Sequence, residues 1–198
     1  MDDQILENLI QLTGLSEEDF QILREFAPHT NSWSTDIIPK FYDLLFGYAP
    51  TAKLFHQQER PIREETLRNW FSELISGDID RSFWKYQWET GLLHVKRGVR
   101  NHMMIAMMSQ LQILFLKKCI EEFEWEDAIE LFCAFKRITD TITGLIAEGY
   151  FEKYLESIES MSGIKKRVIQ RMVDLEIPSV LKKHSLPGST NDKYPEGE

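Results

Sequence analysis

His94 is the candidate metal ligand of this chain. It lies within residues 88–98, near the C-terminal end of a predicted helix of large apolar side chains, and Gly91 precedes it by one turn. A neutral imidazole ligates metals well, and its second nitrogen then needs an acceptor, which a backbone carbonyl one turn back can provide. The glycine would let a flat ligand or another helix approach closely. The same spacing also fits a helix-end histidine that interacts only with the helix dipole, so both interpretations stay open here.

Tyr42 and Thr66 are candidate hydrogen-bond donors within two other apolar helical segments. Tyr42 follows Phe41 in a segment that Gly47 closes. In a pocket of low dielectric, a phenol stabilises a partly negative ligand atom, and a buried hydroxyl without a partner is costly. Taken alone, however, Tyr42 also fits an ordinary half-buried tyrosine. Thr66 equally fits a hydroxyl bonded to a carbonyl one helical turn back.

The elements that must position these residues are predicted to be helices throughout. Apolar residues recur at helical spacing. The sequence shows almost none of the signals for a β-hairpin, which are two-residue turns between runs of alternating apolar residues. About seven or eight helices are expected, a pattern that fits many helical bundles, the globin fold among them. The main boundaries are Ser16 and Asp36 as N-caps, Pro28 as a stop and Pro61 as a start. The His94 helix is expected to begin after Asp80 as its N-cap and to end at about Gly98, and two last long helices are expected over residues 100–122 and 126–157.

Composition and charge limit the classes of function. The chain has 198 residues, of which 42% are hydrophobic and 12% aromatic, which is enough for one compact core. Aromatic side chains fill cores, and they also line pockets for flat apolar ligands. A net charge of −9 at pH 7 argues against nucleic acid as a partner, because phosphate binding needs a basic surface.

The cysteines and the most apolar stretch of the sequence indicate where in the cell the protein is expected. Cys119 and Cys133 form no paired motif, which gives no support for structural zinc or a redox dithiol and fits a cytoplasmic protein. The acidic N-terminus shows no secretory signal. Residues 103–116 are shorter than the roughly 20 residues that a bilayer needs, so we predict a buried helix there and no membrane span.

The stretch from about Leu15 to Leu116 resembles the sensor globins, that is, the globin-coupled sensors and the related protoglobins. The resemblance implies an all-α, globin-like fold, in the sensor-globin variant with an extra N-terminal helix and a C-terminal helical extension. A haem-binding domain is expected over residues 1–160, and the amphipathic and then polar composition that follows predicts a helical linker and a disordered tail over residues 161–198. Four pieces in the same order carry the resemblance: Leu15-Ser16-Glu17-Glu18-Asp19, Phe41-Tyr42, Glu65-Thr66-Leu67 with Trp70 and residues 76–80, and residues 91–98 around His94.

The resemblance also implies a role for particular residues in binding haem b. His94 matches the proximal ligand of the haem iron. Tyr42 matches a distal tyrosine whose hydroxyl can hydrogen-bond bound oxygen, and Thr66 matches a distal-helix threonine that can share this task. Phe55 is the candidate for a ring that wedges against the haem. The predicted haem-binding set is completed by pocket-wall residues, Phe41, Leu67 and Trp70.

Some positions depart from the family pattern. Met104 stands where a member of the family has a second pocket tyrosine, so a switch that needs that phenol is absent or rebuilt. Arg63 stands where an apolar distal residue is expected, so either it reaches a haem propionate or the alignment is shifted by one turn. No second histidine ligand is expected on the distal helix, and His56 would serve only if its loop moved. The methionine pairs 103–104 and 107–108 are assigned to the core or a subunit interface rather than to a pocket wall.

We therefore predict a haem protein that binds and senses a diatomic gas (O2, NO or CO) and is not an enzyme. It is expected to form a homodimer through the last two long helices. The residues after Ser162 are too few for an output domain, so a signal would pass to a partner or through residues 164–180, a final helix or a linker. Two alternatives stay open. One is a haem-free globin-fold dimeric signalling module whose pocket side chains fill, and the other is a haem enzyme such as a nitric-oxide dioxygenase.

Overall fold

The computed structural model describes residues 3–184, and these residues form an all-α fold, as predicted. Nine α-helices and two short 3-10 turns account for nearly all of this part of the chain. The helices are α1 (Asp3–Thr13), α2 (Glu17–Thr30), α3 (Ser34–Gly47), α4 (Ala49–Ala52), α5 (Arg60–Ile75), α6 (Arg81–Arg97), α7 (Asn101–Glu122), α8 (Trp125–Ser162) and α9 (Lys166–His184), with 3-10 turns at Asn31–Trp33 and Gln57–Glu59.

Caps at both ends define α6, the helix that carries His94. The Asp80 carboxylate accepts a hydrogen bond from the Phe83 amide at 2.9 Å, so the predicted N-cap is confirmed. Gly98 ends the helix in the left-handed conformation, with φ of 75°, which glycine adopts without steric cost. The amide of Val99 then bonds to the His94 carbonyl at 3.0 Å, so the segment after the helix is also held in place.

Three predicted boundaries are wrong. Helix α8 ends at Ser162, five residues beyond its predicted end at residue 157. Pro28 does not stop α2, which continues for two further residues; a proline so near the helix end removes only one backbone hydrogen bond. Asp36 does not cap α3, which begins at Ser34, because the 3-10 turn Asn31–Trp33 leads from α2 into α3 without an extended residue. Asp36 lies in the first turn of α3 instead and pairs with Lys40 at 2.8 Å.

The chain divides into two compact units between Tyr150 and Phe151. The first unit holds α1 to α7 and most of α8, and the second holds the rest of α8 together with α9. The predicted domain boundary after residue 160 stays a prediction. Residues 164–180, left open as a helix or a linker, lie mostly within α9. The predicted disordered tail lies, beyond His184, outside the described residues.

An aromatic cluster forms the centre of the core in the first unit. Phe71 of α5, Phe115 of α7 and Phe135 of α8 are fully buried. The rings of Phe115 and Phe135 stack with centroids 3.7 Å apart, and Phe71 lies 6.2 Å from each. Burial of each such side chain contributes about 1.5–3 kcal/mol, so the cluster holds three of the helices that line the site described below.

Helix α7 is, by length and composition, the one helix among the described residues that could cross a membrane. Only 28% of its most apolar window is buried within the fold. However, Leu111, Phe115 and Cys119 of this helix are core residues, and the core helices of globular proteins pass the same test. The absence of a membrane span therefore stays a prediction.

Helices α6 and α8 approach each other closely at two glycines, one on each helix. A Cβ atom on Gly91 would lie 2.9 Å from the Ile146 carbonyl oxygen, and one on Gly149 would lie 3.1 Å from the Trp88 carbonyl oxygen. The sequence analysis considered a flat ligand or another helix as the neighbour of Gly91. In the structure the neighbour is another helix, α8. The contact fixes the position of α6, and with it His94, relative to this part of α8.

Replacing Gly91 with alanine is expected to destabilise the protein by about 1–3 kcal/mol, because the new Cβ meets the backbone of Ile146. Gly47→Ala is the matched control, since nothing lies within 4 Å of a Cβ at that position. Urea unfolding followed by circular dichroism measures both variants. Equal stability of the two variants would contradict the close approach of α6 to α8.

Candidate functional site

The first unit contains a cavity of about 500 Å³ between α3, α5, α6, α7 and α8. This volume is typical of sites for small organic molecules and cofactors. The cavity walls are mainly apolar and aromatic. All seven residues of the predicted haem-binding set line it: Phe41, Tyr42, Phe55, Thr66, Leu67, Trp70 and His94.

His94 brings an uncommitted imidazole to this cavity. Its Nδ1 atom is buried without a hydrogen-bond partner among residues 3–184, so the backbone acceptor expected one turn back is not engaged. Burial lowers the pKa of the imidazole, because the charged form would lose its hydration. The ring is therefore neutral at pH 7, the state that ligates metals. A surface histidine that interacts only with the helix dipole does not fit this environment.

Tyr150 of α8 holds the end of α6, a role that the sequence analysis missed. Its ring stacks on His94, with centroids 6.4 Å apart and 19° between the planes. Its hydroxyl donates a hydrogen bond of 2.6 Å to the Val99 carbonyl, directly after α6. Tyr150 lies on the apolar face of a long helix, where the sequence pattern identifies a core residue but not its partner.

Tyr42 presents a neutral phenol to the cavity. The residue is 7% exposed, and burial raises the pKa of its hydroxyl to about 12, while the nearby Arg63 charge lowers it by less. The ring packs edge-on against Phe41, with centroids 5.4 Å apart. No residue of the described chain hydrogen-bonds the hydroxyl, so its proton is available to a ligand in the cavity.

Thr66 lines the cavity but is exposed, and its hydroxyl is already engaged. It donates to the Ile62 carbonyl at 2.9 Å, the local bond that the sequence analysis gave as the alternative. The hydroxyl would have to rotate away from this carbonyl before it could donate to a ligand. Its geometry therefore supports a distal role less directly than that of Tyr42.

Gln87 is a polar residue of the cavity that the sequence analysis did not identify. It lies two turns before His94 on α6 and is 1% exposed. The Trp70 indole donates to Gln87 Oε1 at 3.0 Å. Because an indole N–H can only donate, this bond fixes the orientation of the amide. The Nε2 atom is consequently buried without a partner in the described chain, an unsatisfied donor beside the cavity.

The methionines of α7 belong to the core, as predicted, and they also line the cavity, the alternative that the prediction set aside. All four of Met103, Met104, Met107 and Met108 belong to its wall, and Met104 is a core residue as well. Methionine is flexible and polarizable, so it adapts to irregular apolar ligands. Helical spacing alone could not separate a core face from a cavity face, because both are apolar.

Three cationic side chains, Arg63, Lys96 and Arg97, line the same cavity, and we call them the basic cluster. Glu59 Oε2 accepts hydrogen bonds of 2.9 Å from Arg63 Nη2 and 2.9 Å from Arg97 Nη1. These bonds hold the pKa of the Glu59 carboxyl below its usual range, and the bond from Arg63 has the larger effect. Arg97 also lies over the Phe55 ring, 6.0 Å from its centroid, so cations and an aromatic wall are adjacent.

Comparisons with known proteins agree with this fold. The model of the Protoglobin family matches residues 2–156. The solved globin domain of the Geobacter sulfurreducens globin-coupled sensor is 21% identical in sequence and superposes with a TM-score of 0.65, covering 73% of this chain and 96% of that domain. At this identity the likeness shows the globin fold. No curated protein matches the chain significantly.

Trp70→Phe is expected to destabilise the protein by about 1–3 kcal/mol, because it removes the only partner of the buried Gln87 amide in the described chain. Adding Gln87→Leu should recover most of this loss, since it removes the unpaired polar atoms as well. Chemical denaturation of both single variants and the double variant forms a double-mutant cycle. Strictly additive losses would mean that the two side chains do not interact.

Proposed function

This chain belongs to the Protoglobin family, and from that premise we propose that it is a haem b protein that binds and senses a diatomic gas, O2, NO or CO. The observation that carries the proposal is the environment of His94. Its imidazole is neutral, no residue of the described chain hydrogen-bonds either nitrogen, and it lines a cavity of cofactor size. An imidazole in this state is ready to ligate iron.

The residues around the cavity fit a flat apolar group. Phe41, Phe55 and Leu67 give it apolar walls, and four methionines of α7 line another side. The haem-free alternative requires side chains that fill this space. A cavity of about 500 Å³ favours a bound cofactor over that alternative.

His94 would hold the cofactor, and other residues of the chain would act on the gas. When bound, haem supplies an iron atom with a coordination position open to a diatomic molecule. One imidazole nitrogen would ligate the iron, and the other would need a hydrogen-bond acceptor to fix the tautomer. The Tyr150 ring and the close contact at Gly91 keep the imidazole in place.

Tyr42 would supply the hydrogen bond that favours a bound gas carrying partial negative charge. With a pKa of about 12, its hydroxyl stays protonated at physiological pH and can donate. In the low dielectric of the cavity such a bond is stronger than in water. Thr66 would assist once its hydroxyl turns from the Ile62 carbonyl.

We propose binding and sensing rather than catalysis, as the sequence analysis did. A haem enzyme of the peroxidase kind needs a charged acid–base group beside the reacting ligand. Tyr42, the buried titratable group on the predicted distal side, is neutral. A cytoplasmic location and a downstream signalling partner complete the proposal.

His94→Ala is expected to abolish the Soret absorption of the purified protein or to weaken haem retention by more than about tenfold, because the iron loses its protein ligand. Tyr42→Phe is the matched variant, since it removes one hydroxyl from the same cavity. It should retain haem with a normal Soret band and release O2 about three to ten times faster, through the loss of one hydrogen bond. Absorption spectra and stopped-flow oxygen release measure these effects.

The two variants separate the parts of the proposal. A colourless wild-type protein after expression with haem supplied would overturn haem binding. A normal Soret band in His94→Ala would remove His94 as the ligand. An unchanged rate of oxygen release in Tyr42→Phe would remove Tyr42 from its role beside the gas, without affecting haem binding.

We further propose that a second copy of this chain covers the exposed apolar face of α7, in a homodimer formed through α7 and α8. Ile105, Ile113 and Ile120 recur at intervals of about two turns along one side of α7 and are 48%, 42% and 52% exposed. Exposed apolar residues that recur on one side of a helix are typical of a protein interface. A partner with the same face satisfies it symmetrically, as two-fold dimers do.

The wild-type chain is expected to have the mass of two chains in sedimentation or light scattering. Ile113→Lys combined with Ile120→Lys should give the mass of one chain, because two buried lysines would face each other across the interface. Leu12→Lys is a control at an exposed apolar residue of α1. A wild-type mass equal to one chain would overturn the dimer.

A further inference from the structure

The basic cluster is a concentration of positive charge in an acidic protein. The chain has a net charge of −9, yet Arg63, Lys96 and Arg97 line one cavity whose other walls are mainly apolar. Glu59 is shared between the two arginines. Within residues 3–184, Lys96 has no ion-pair partner. Three cations and one carboxylate leave a net charge of +2 here, and of the three cations only Lys96 has no acidic partner in the described chain.

The bonds of Glu59 are of a kind that another carboxylate can replace. Glu59 Oε2 alone receives N–H donors from both arginines, at 2.9 Å from Arg63 Nη2 and 2.9 Å from Arg97 Nη1. All three side chains are partly exposed, so water and salt screen the pairs, and such pairs contribute little stability. A ligand carboxylate with an apolar body buried in the cavity would compete well for these donors, because its own burial favours binding.

Arg97 links the charged and the apolar parts of the cavity. Its guanidinium lies over the Phe55 ring, 6.0 Å from the centroid, and both residues line the cavity. A molecule that contacts this aromatic wall therefore lies beside a cation. The arrangement fits an amphiphile with a flat apolar body and negative groups at one edge.

We propose that the basic cluster is a clamp for a ligand with two carboxylates, and that Glu59 occupies this clamp until the ligand displaces it. The proposal deepens the proposed function, on which it rests, because the ligand class is a flat apolar dicarboxylate such as a porphyrin with two propionates. It assigns Glu59 a role as an internal competitor. It also explains why Arg63 occurs where an apolar residue was expected.

The experiment compares iron-free protoporphyrin IX with its dimethyl ester on the full chain. Neither probe has a metal, so neither needs His94. Binding is followed by quenching of tryptophan fluorescence, and the result is the ratio of the two affinities within each variant. This ratio cancels general effects of a substitution on folding. The variants are Arg63→Gln, Lys96→Gln, Arg97→Gln and Glu59→Gln, with Arg60→Gln as the matched control.

Arg60 suits the control because it also lies on α5 and pairs with carboxylates, Glu64 at 2.6 Å and Asp43 at 2.8 Å, but does not line the cavity. The wild-type chain should bind the free acid about tenfold or more tightly than the diester. Each substitution in the basic cluster should reduce this preference about threefold to tenfold, the effect of one partly exposed ionic hydrogen bond. Glu59→Gln should increase it about threefold, and Arg60→Gln should leave it unchanged.

Three outcomes would overturn the proposal. Equal affinities of the acid and the diester for the wild-type chain would remove the clamp. If Arg60→Gln lowered the preference for the free acid as much as the substitutions in the basic cluster do, the preference would come from general surface charge and not from the cluster. A lower preference in Glu59→Gln would show that Glu59 positions the arginines and does not compete. Each of these results differs from a failure of haem ligation by His94. In that case the iron-free porphyrin would still bind through the basic cluster, and His94→Ala would leave the absorption spectrum of the haem-loaded protein unchanged.

Discussion

The position of α6 against α8 is the constraint on which the site depends. Backbone atoms of the two helices come so close at Gly91 that a single methyl group would have no space. Tyr150 adds a second attachment through its hydrogen bond to the Val99 carbonyl. With α6 held at both places, the His94 imidazole is positioned beside the cavity with its Nδ1 atom buried. Its neutrality and its lack of partners both follow from this placement.

The cavity is polar in few places, and two of these are unsatisfied. His94 Nδ1 and Gln87 Nε2 are both buried without a partner in the described chain. An unpaired buried polar atom costs about 1–3 kcal/mol, so two such atoms in one cavity are a large cost for a small domain. The stacked rings of Phe115 and Phe135 and the rest of the core offset it. Unsatisfied groups of this kind are typical of sites that a ligand completes.

Helical periodicity and caps predicted much of this structure. The N-cap at Asp80 and the glycine at position 98 depend on local chemistry that a sequence shows directly, and both ends of α6 were correct. The family resemblance brought together seven residues from three helices and a connecting segment, which periodicity could not do. Pro28 and Asp36 were wrong because a 3-10 turn joins α2 to α3, and the sequence offers no strong signal for such a continuous connection.

Residues whose role depends on a distant partner could not be predicted. Gln87 became part of the site through Trp70 on another helix, and Glu59 through Arg97, separated from it by the whole of α5. The Trp70–Gln87 pair joins α5 to α6 before His94, and the Glu59–Arg97 pair joins the turn before α5 to α6 after His94. Gln87 and Arg97 are ten positions apart on α6, roughly 15 Å along a helix. Because both pairs and the imidazole share α6, a ligand that displaces Glu59 from Arg97 would alter the restraint on the same helix that positions His94.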